Sequence, residues 1–185
     1  MADSEVTVDQ YQQCIEAGAC DFKGSKHMRG NAMTCYRDQN KYKYPVNCLE
    51  GKQARAFSFW VGGSLPTKAL WNQAAHHEQF TSHKQKDTLI PVYDTIAWHK
   101  GNSDGYVHPI KQKKPNLYGL YDMFGNLAEF VINISNQTYN ELSIRGGSWN
   151  NTVKVGRDGH IYHNSSSKNK RLKKGEVGFR PMYVP

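Results

Sequence analysis

The stretch Tyr118-Gly-Leu-Tyr-Asp-Met-Phe-Gly-Asn-Leu-Ala-Glu-Phe-Val131 carries more structural information than any other part of this chain. Within it, Gly125-Asn126 is a turn dipeptide, because both residue types accept a left-handed backbone. The apolar residues that follow the turn predict a strand running into a core. Two further glycine-rich segments extend this pattern toward the C-terminus, Arg145-Gly-Gly-Ser-Trp149 and Val177-Gly-Phe-Arg180.

Two acidic residues flank this predicted turn. Asp122 precedes Gly125-Asn126 and Glu129 follows it. Two carboxylates beside a tight loop, together with the carbonyl groups of that loop, form an oxygen-rich arrangement that suits Ca²⁺. The alternative is purely structural, with Asp122 capping the turn and Glu129 pointing to solvent. These residues by themselves leave both interpretations open.

The composition is that of a folded protein rich in aromatic residues and glycine. With 185 residues, the chain fits one domain over residues 1–185, which can bury roughly 70% of its unfolded surface. The 11 Tyr, 4 Trp and 16 Gly indicate that aromatic side chains, rather than long helices, hold loops in place. No apolar run approaches about 18 residues, so we expect no membrane span. The start, Met1-Ala-Asp-Ser4, has neither the basic nor the apolar part of a signal peptide.

All four cysteines lie within the first 48 residues. An even count in a loop-rich region predicts disulfides, and the spacing favours Cys14 with Cys20 and Cys35 with Cys48. A Cys₄ zinc site is the alternative, although the chain has no Cys-x-x-Cys knuckle. Disulfides would place the protein in an oxidising space, that is, extracellular, periplasmic or on a virion surface, whereas reduced thiols would fit the cytoplasm.

Local signals predict three helices. Thr7 and Gln10, three residues apart, indicate a capping box at the start of the first helix, and Gly18 is well placed to end it. A second helix is expected from about Leu49 to Trp60. A third, short helix is expected directly after Thr67, which would be its N-cap.

A family resemblance adds to this interpretation. The run Gly119-Leu-Tyr-Asp-Met-x-Gly-Asn-Leu-x-Glu-Phe130, followed by Arg145-Gly-Gly-Ser-Trp149 and Gly178-Phe-Arg180, closely resembles the formylglycine-generating enzymes, or sulfatase-modifying factors. Further family marks precede it in order, among them Glu5-Val-Thr-Val-x-Gln-Tyr11. The resemblance implies an α+β protein with a C-type-lectin-like fold and much irregular structure. Family members usually carry strands ahead of the Glu5 segment. Their apparent absence here would leave a sheet edge open or covered by another partner.

The resemblance also implies a metal site in the first stretch. It places a structural Ca²⁺ on the side chains of Asp122 and Glu129 and on the backbone carbonyls of Gly125 and Leu127. A structural calcium ion of this kind takes only oxygen ligands.

The catalytic chemistry of the family depends on sulfur. Its members oxidise a target cysteine with two cysteines of their own, which bind Cu(I) through soft thiolates. The matching positions here fall near Asn151 and Gly156, and no cysteine follows Cys48. Neither residue can hold copper or form a covalent intermediate. We therefore expect no copper and no oxidase activity, unless an early cysteine folds back to this position.

Residues 150–176, here called the display segment, lie between the two C-terminal anchors. The segment is polar and turn-prone, and its seven Lys or Arg against two acidic residues account for five of the eight excess positive charges. This layout resembles the variable proteins of diversity-generating retroelements. We expect a noncatalytic module that binds a protein or glycan of acidic character. The expected contacts, chosen because Tyr and Arg dominate interface energetics, are Arg157, His160, Tyr162 and His163.

Three other functions are considered. Nucleic acid binding is not favoured, because there is no reader motif and only Tyr162 in the segment offers a stacking ring. A sulfatase-modifying oxidoreductase is one alternative, and it would require the missing thiols. A structural docking domain of a larger assembly is the other, and it would use the open sheet edge.

Overall fold

The computed structural model describes residues 1–22, 35, 43–75, 86–135, 138–155, 161–163 and 174–183. Within these ranges the chain forms four α-helices, five β-strands and one 3₁₀ turn, in the mixed α+β arrangement that the sequence predicts. The helices are α1 (Val8–Glu16), α2 (Gly51–Trp60), α3 (Lys68–Ala74) and α4 (Lys86–Ile96). The strands are β1 (Ala128–Ser135), β2 (Thr138–Arg145), β3 (Val153–Val155), β4 (Ile161–His163) and β5 (Val177–Gly178), and the 3₁₀ turn is Lys174–Glu176.

Helices α1 and α3 begin where their caps predict. Thr7 Oγ1 accepts a hydrogen bond from the Gln10 backbone N at 3.2 Å, and Gln10 Oε1 accepts one from Thr7 N at 2.9 Å, which confirms the capping box. Gly18, with a φ of +74°, follows the end of α1 as expected. Helix α2 begins two residues later than predicted, at Gly51. Thr67 caps α3, because its Oγ1 accepts from Leu70 N.

Helix α4 was missed by the sequence analysis. Pro91 lies inside it, and proline normally ends a helix because it lacks an N–H and crowds the preceding turn. Tertiary packing offsets this cost. Tyr93, Ile96 and the adjacent Ala97 are buried, with Phe124 and Val153 packed against them. Through Val153, α4 supports the start of the display segment.

The central sheet has the strand order β2-β1-β5. Strands β1 and β2 are antiparallel, with Glu129 opposite Arg145, while β5 runs parallel to β1 with Gly178 opposite Glu129. The predicted turn before β1 is confirmed, since Gly125 and Asn126 have φ values of +75° and +47°. Glycine is required at position 125, because a Cβ there would lie 2.0 Å from the Trp98 carbonyl oxygen. Strands β3 and β4 form a separate antiparallel pair.

An aromatic cluster and two disulfides hold the N-terminal half in place. The ring of Phe57 on α2 lies 5.7 Å from that of Tyr11 and 5.5 Å from that of Phe179, measured between centroids. The disulfides join Cys14 to Cys20 and Cys35 to Cys48, which confirms the pairing expected from spacing. The alternative of a Cys₄ zinc site is therefore wrong, because no thiolate is left to bind the metal.

The N-terminal residues pair with the C-terminal ones. Val6 N donates to Phe179 O at 3.0 Å, and Ala2 N donates to Pro181 O at 2.8 Å. Both ends of the described chain therefore lie beside β5. In the part of the chain that the structure describes, each helix is too short or too polar to cross a bilayer.

Candidate functional site

The two ends of the display segment are joined by one buried carboxylate. Glu176 Oε2 accepts from Ser148 Oγ at 3.1 Å, and Glu176 Oε1 accepts from Asn150 Nδ2 at 3.2 Å. Ser148 and Glu176 are both buried. Because Glu176 comes from the end of the segment and Ser148 precedes its start, these hydrogen bonds close the segment into a loop with a fixed base. We call this arrangement the clamp.

Further hydrogen bonds attach the clamp to the rest of the fold. Asn47 Nδ2 donates to the Gly175 carbonyl at 3.0 Å, and Asn47 is itself fully buried. At the other end of the display segment, Lys100 N donates to the Asn151 carbonyl at 3.1 Å. The base of the display segment is thus positioned by residues far away in sequence.

Asn151, near the place where the resemblance puts the first catalytic thiol of the family, has a structural role. Its Oδ1 accepts from Ser148 N at 2.9 Å, and its backbone N donates to Ser148 O at 3.0 Å, so the side chain stabilises the turn after the first anchor. All four cysteines of the chain are in disulfides, which rules out an early cysteine folding back as a free thiol. Gly156, the second matching position, lies outside the described residues.

The structure describes only part of the predicted contact set. Arg157 and His160 lie outside the described residues. Tyr162 and His163 lie on β4, where their backbones pair with Lys154 and Val153 of β3. The two strands form a short antiparallel pair that begins three residues after the clamp residue Asn150. The assignment of these four residues as ligand contacts stays a prediction.

Beneath the sheet lies a buried ion pair. The side chains of Arg180 and Glu129 are both 0% exposed, and Arg180 Nε donates to the two Glu129 oxygens at 2.8 and 3.0 Å. Arg180 Nη2 lies 2.7 Å from Glu129 Oε1 and also donates to the Tyr121 carbonyl at 2.7 Å. Trp71 Nε1 on α3 donates to Glu129 Oε2 at 2.7 Å. The interpretation that Glu129 points to solvent is therefore wrong, because Arg180 and Trp71 draw it into the core.

Two more carboxyl groups surround this pair. Glu5 accepts from Leu127 N at 2.9 Å and from Asn126 Nδ2 at 3.0 Å. Burial raises the pKa of Glu5 well above its ordinary value, and the charges of Asp122 and Glu129 raise it further. Burial also raises the pKa of Asp122 to about 6, opposed by the hydrogen bond that its Oδ2 accepts from Lys111 N.

Sequence reasoning assigned no role to Glu5 or Arg180. The available signal was their place in the family marks, Glu5-Val-Thr-Val and Gly178-Phe-Arg180. Neither segment shows on its own that its charged residue is buried. Only the pairing of the two chain ends beside β5 brings these groups together.

The four positions expected to bind Ca²⁺ fit a cation unequally. Asp122 Oδ1 is buried with no hydrogen-bond partner among the described residues, which suits a metal ligand. Both Glu129 oxygens, however, already accept from Arg180, and Oε2 also accepts from Trp71 Nε1. Within the described ranges, no three His, Cys, Asp or Glu side chains are grouped so that they could hold a metal ion. Calcium at Asp122, Gly125, Leu127 and Glu129 stays a prediction, and it requires Glu129 to turn away from Arg180.

With this geometry in view, comparison with known proteins identifies the family. The family model of the sulfatase-modifying factor enzyme 1-like domain matches residues 1–183. Because the match covers almost the whole chain, the protein belongs to this family.

Among curated proteins, the chain is 30% identical over 135 residues to the inactive C-alpha-formylglycine-generating enzyme 2 of Bos taurus, covering 68% of this chain and 44% of that protein. It is 30% identical over 104 residues to the formylglycine-generating enzyme of Thermomonospora curvata, covering 47% of this chain and 32% of that protein. It is 26% identical over 141 residues to the serine/threonine-protein kinase pkn1 of Chlamydia pneumoniae, covering 66% of this chain and 22% of that protein. The chain thus spans less than half the length of these curated relatives.

Solved structures share the fold at lower sequence identity. Treponema denticola variable protein 1 superposes with a TM-score of 0.56 at 20% identity, covering 96% of this chain and 81% of that one. CarF gives a TM-score of 0.57 at 19% identity, covering 96% and 84%. PvdO from Pseudomonas aeruginosa gives a TM-score of 0.55 at 19% identity, covering 95% of this chain and 76% of that one. These similarities support the predicted C-type-lectin-like fold of the formylglycine-generating-enzyme type.

Proposed function

We propose that this protein is a noncatalytic binding module that presents its display segment to an acidic ligand. The observation that carries the proposal is the lack of a free thiol: every cysteine of the chain is in a disulfide, and Asn151, near the place where the resemblance puts the first catalytic cysteine, stabilises a turn. Thiol oxidation of the family type needs thiolates to bind Cu(I). The fold retains the frame around the site without these ligands.

The clamp supports a role in presentation. Glu176 fixes both ends of the display segment, and Asn47 and Lys100 anchor it to the fold. Loops carried on a rigid scaffold can change in sequence without disturbing the core. Two observations from relatives agree with this role: the Bos taurus relative is named inactive, and a structural relative is named a variable protein. On this basis we also propose that the segment differs between gene copies, which sequencing the gene from several isolates would test.

Charge indicates the class of ligand. Glu176 is held inside the clamp, and the rest of the segment has seven Lys or Arg against one acidic residue, Asp158, a sequence balance of 7 − 1 = +6. A surface of this sign attracts acidic proteins or acidic glycans. The two disulfides favour an oxidising location, extracellular, periplasmic or on a virion surface.

A biosensor experiment with heparin and polyglutamate as probes tests the proposal. The protein should bind at least one probe, and binding should weaken with salt because it is electrostatic. Replacing Lys168, Lys170 and Lys173 with Gln should lower affinity about tenfold or more. The matched control replaces three exposed lysines outside the segment with Gln and should change affinity by less than about threefold; these are Lys52, Lys68 and Lys114. Equal losses in the two triple variants would show that net charge, rather than the display segment, governs binding.

Calcium is a separate proposal at Asp122, Gly125, Leu127 and Glu129. Its support is the unpartnered, buried Asp122 Oδ1. The role would be structural, since the site lies under the sheet rather than at the display segment. It does not depend on which ligand the segment binds.

A further inference from the structure

A cleft lies between α1, the end of α2 and the C-terminal residues, and the display segment contributes none of its lining. Its volume is about 270 Å³, and its lining includes two partly exposed aromatic rings, Trp60 at 38% and Tyr183 at 51%. Trp60 is held edge-on against Phe57, with 5.6 Å between the ring centroids. One side of the cleft is therefore an aromatic surface fixed by the core.

The α1 part of the lining carries two amide side chains with defined hydrogen-bonding roles. Gln10 and Gln13 lie three residues apart on one face of α1 and both line the cleft. Gln10 Oε1 accepts from Thr7 N, so Nε2 is the group that Gln10 can offer a ligand. Gln13 Nε2 donates to Asp9 Oδ2, so Oε1 is the group that Gln13 can offer. This part of the lining thus presents one donor and one acceptor, already ordered within the helix.

The charges in the lining are already paired. Of the described residues that line the cleft, only Asp3 and Glu5 are acidic and none is basic. Asp3 Oδ2 lies 2.7 Å from Lys111 Nζ, and the Glu5 carboxylate accepts from Leu127 N and Asn126 inside the core. The cleft has no spare charge with which to select an ion. Its chemistry suits a neutral ligand with one apolar face and several hydroxyl groups.

We propose that this cleft binds a neutral sugar, one or two pyranose rings in size. The C–H face of a pyranose packs against aromatic rings such as Trp60 and Tyr183, while its hydroxyls both donate and accept and so match the Gln10 and Gln13 amides. A cleft near 300 Å³ with aromatic walls and a few fixed polar groups is typical of small-ligand sites. The proposal is independent of the function proposed for the display segment, because it uses none of the same residues.

The test measures binding of glucose, galactose, mannose and N-acetylglucosamine, each at millimolar concentration, by saturation-transfer NMR on the intact chain. At least one sugar should show transfer, with a Kd in the millimolar range. Trp60→Ala should weaken its binding about tenfold or more. Gln13→Ala should weaken it about fivefold; its only described side-chain hydrogen bond is the exposed one to Asp9 on the surface of α1, so this variant should still fold.

Phe59→Ala is the matched control, because Phe59 is 83% exposed, sits beside Trp60 and does not line the cleft. It should leave sugar binding within about twofold of the original chain. Absence of transfer to all four sugars would overturn the proposal. So would sugar binding that Trp60→Ala and Gln13→Ala leave unchanged.

Discussion

Replacing Arg180 with methionine removes the guanidinium from a buried cluster of three carboxyl groups, Glu5, Asp122 and Glu129. Arg180 and Glu129 are fully buried and share three contacts of 2.7 to 3.0 Å. Removing one partner of such a pair costs about 3–5 kcal/mol, because the other charge is left uncompensated. Since small domains have about 5–15 kcal/mol of stability in total, this variant should lose about a fifth of its stability or more.

The comparison with Glu129→Gln makes the prediction specific. Glutamine keeps the shape and an acceptor oxygen for Trp71, and the Arg180 charge still faces Glu5 and Asp122. We therefore expect a cost of about 1–3 kcal/mol for Glu129→Gln, smaller than that of Arg180→Met. Measuring urea unfolding by circular dichroism gives both values, and exposed Lys68→Met should stay within about 0.5 kcal/mol of the original chain. If Glu129→Gln proved the more destabilising of the two, the charge balance inferred for this cluster would be incorrect.

Three further predictions concern protons, disulfides and calcium. Burial raises the pKa of Asp122 to about 6 from an ordinary value near 4, so the folded state holds this proton more tightly. The free energy of unfolding should therefore fall by roughly 1–3 kcal/mol as pH rises from about 4 to 6, and the raised pKa of Glu5 acts in the same direction. Urea unfolding at several pH values measures this slope, and Asp122→Asn should flatten it. In denaturant, a thiol reagent should detect no free cysteine before reduction and four after it, and any thiol found in the unreduced chain would contradict the pairing. Loss of either disulfide should lower the free energy of unfolding by about 2–3 kcal/mol. If calcium binds, adding it at 100 times its Kd should stabilise the chain by about 2.7 kcal/mol, and Asp122→Asn should reduce that gain; a melting temperature that neither calcium nor EDTA changes would remove the calcium proposal.

Features set by neighbouring residues were predictable from the sequence. The Thr7–Gln10 capping box, the Thr67 cap and the left-handed turn at Gly125-Asn126 each depend on a few adjacent residues. The disulfide pairing was also predictable from the sequence, because four closely spaced cysteines allow few pairings. In each case the local chemistry restricts the chain to one geometry.

Features that depend on distant partners were not predictable. Glu129 is buried because Trp71 and Arg180, 58 and 51 residues away, both donate to it. Helix α4 forms despite Pro91, since the tertiary contacts of Tyr93 and Ile96 outweigh the local preference.

In the candidate site too, features that depend on single positions were predictable and features that depend on distant partners were not. The absence of cysteine at positions 151 and 156 is readable directly from the sequence. The clamp on Glu176 is not, because it joins residues 26 and 28 positions apart. Glu176 directly precedes β5, which pairs with β1, so its position depends on the tertiary fold.

The proposed noncatalytic function requires that this chain does not oxidise a thiol. The most direct measurement incubates the purified chain with Cu(I), oxygen and a peptide containing Cys-x-Pro-x-Arg, and follows conversion of the cysteine to an aldehyde by mass spectrometry. We predict no aldehyde above a control without protein, because Asn151 supplies no thiolate and all four cysteines are in disulfides. Repeated, protein-dependent conversion of the peptide would contradict the noncatalytic assignment.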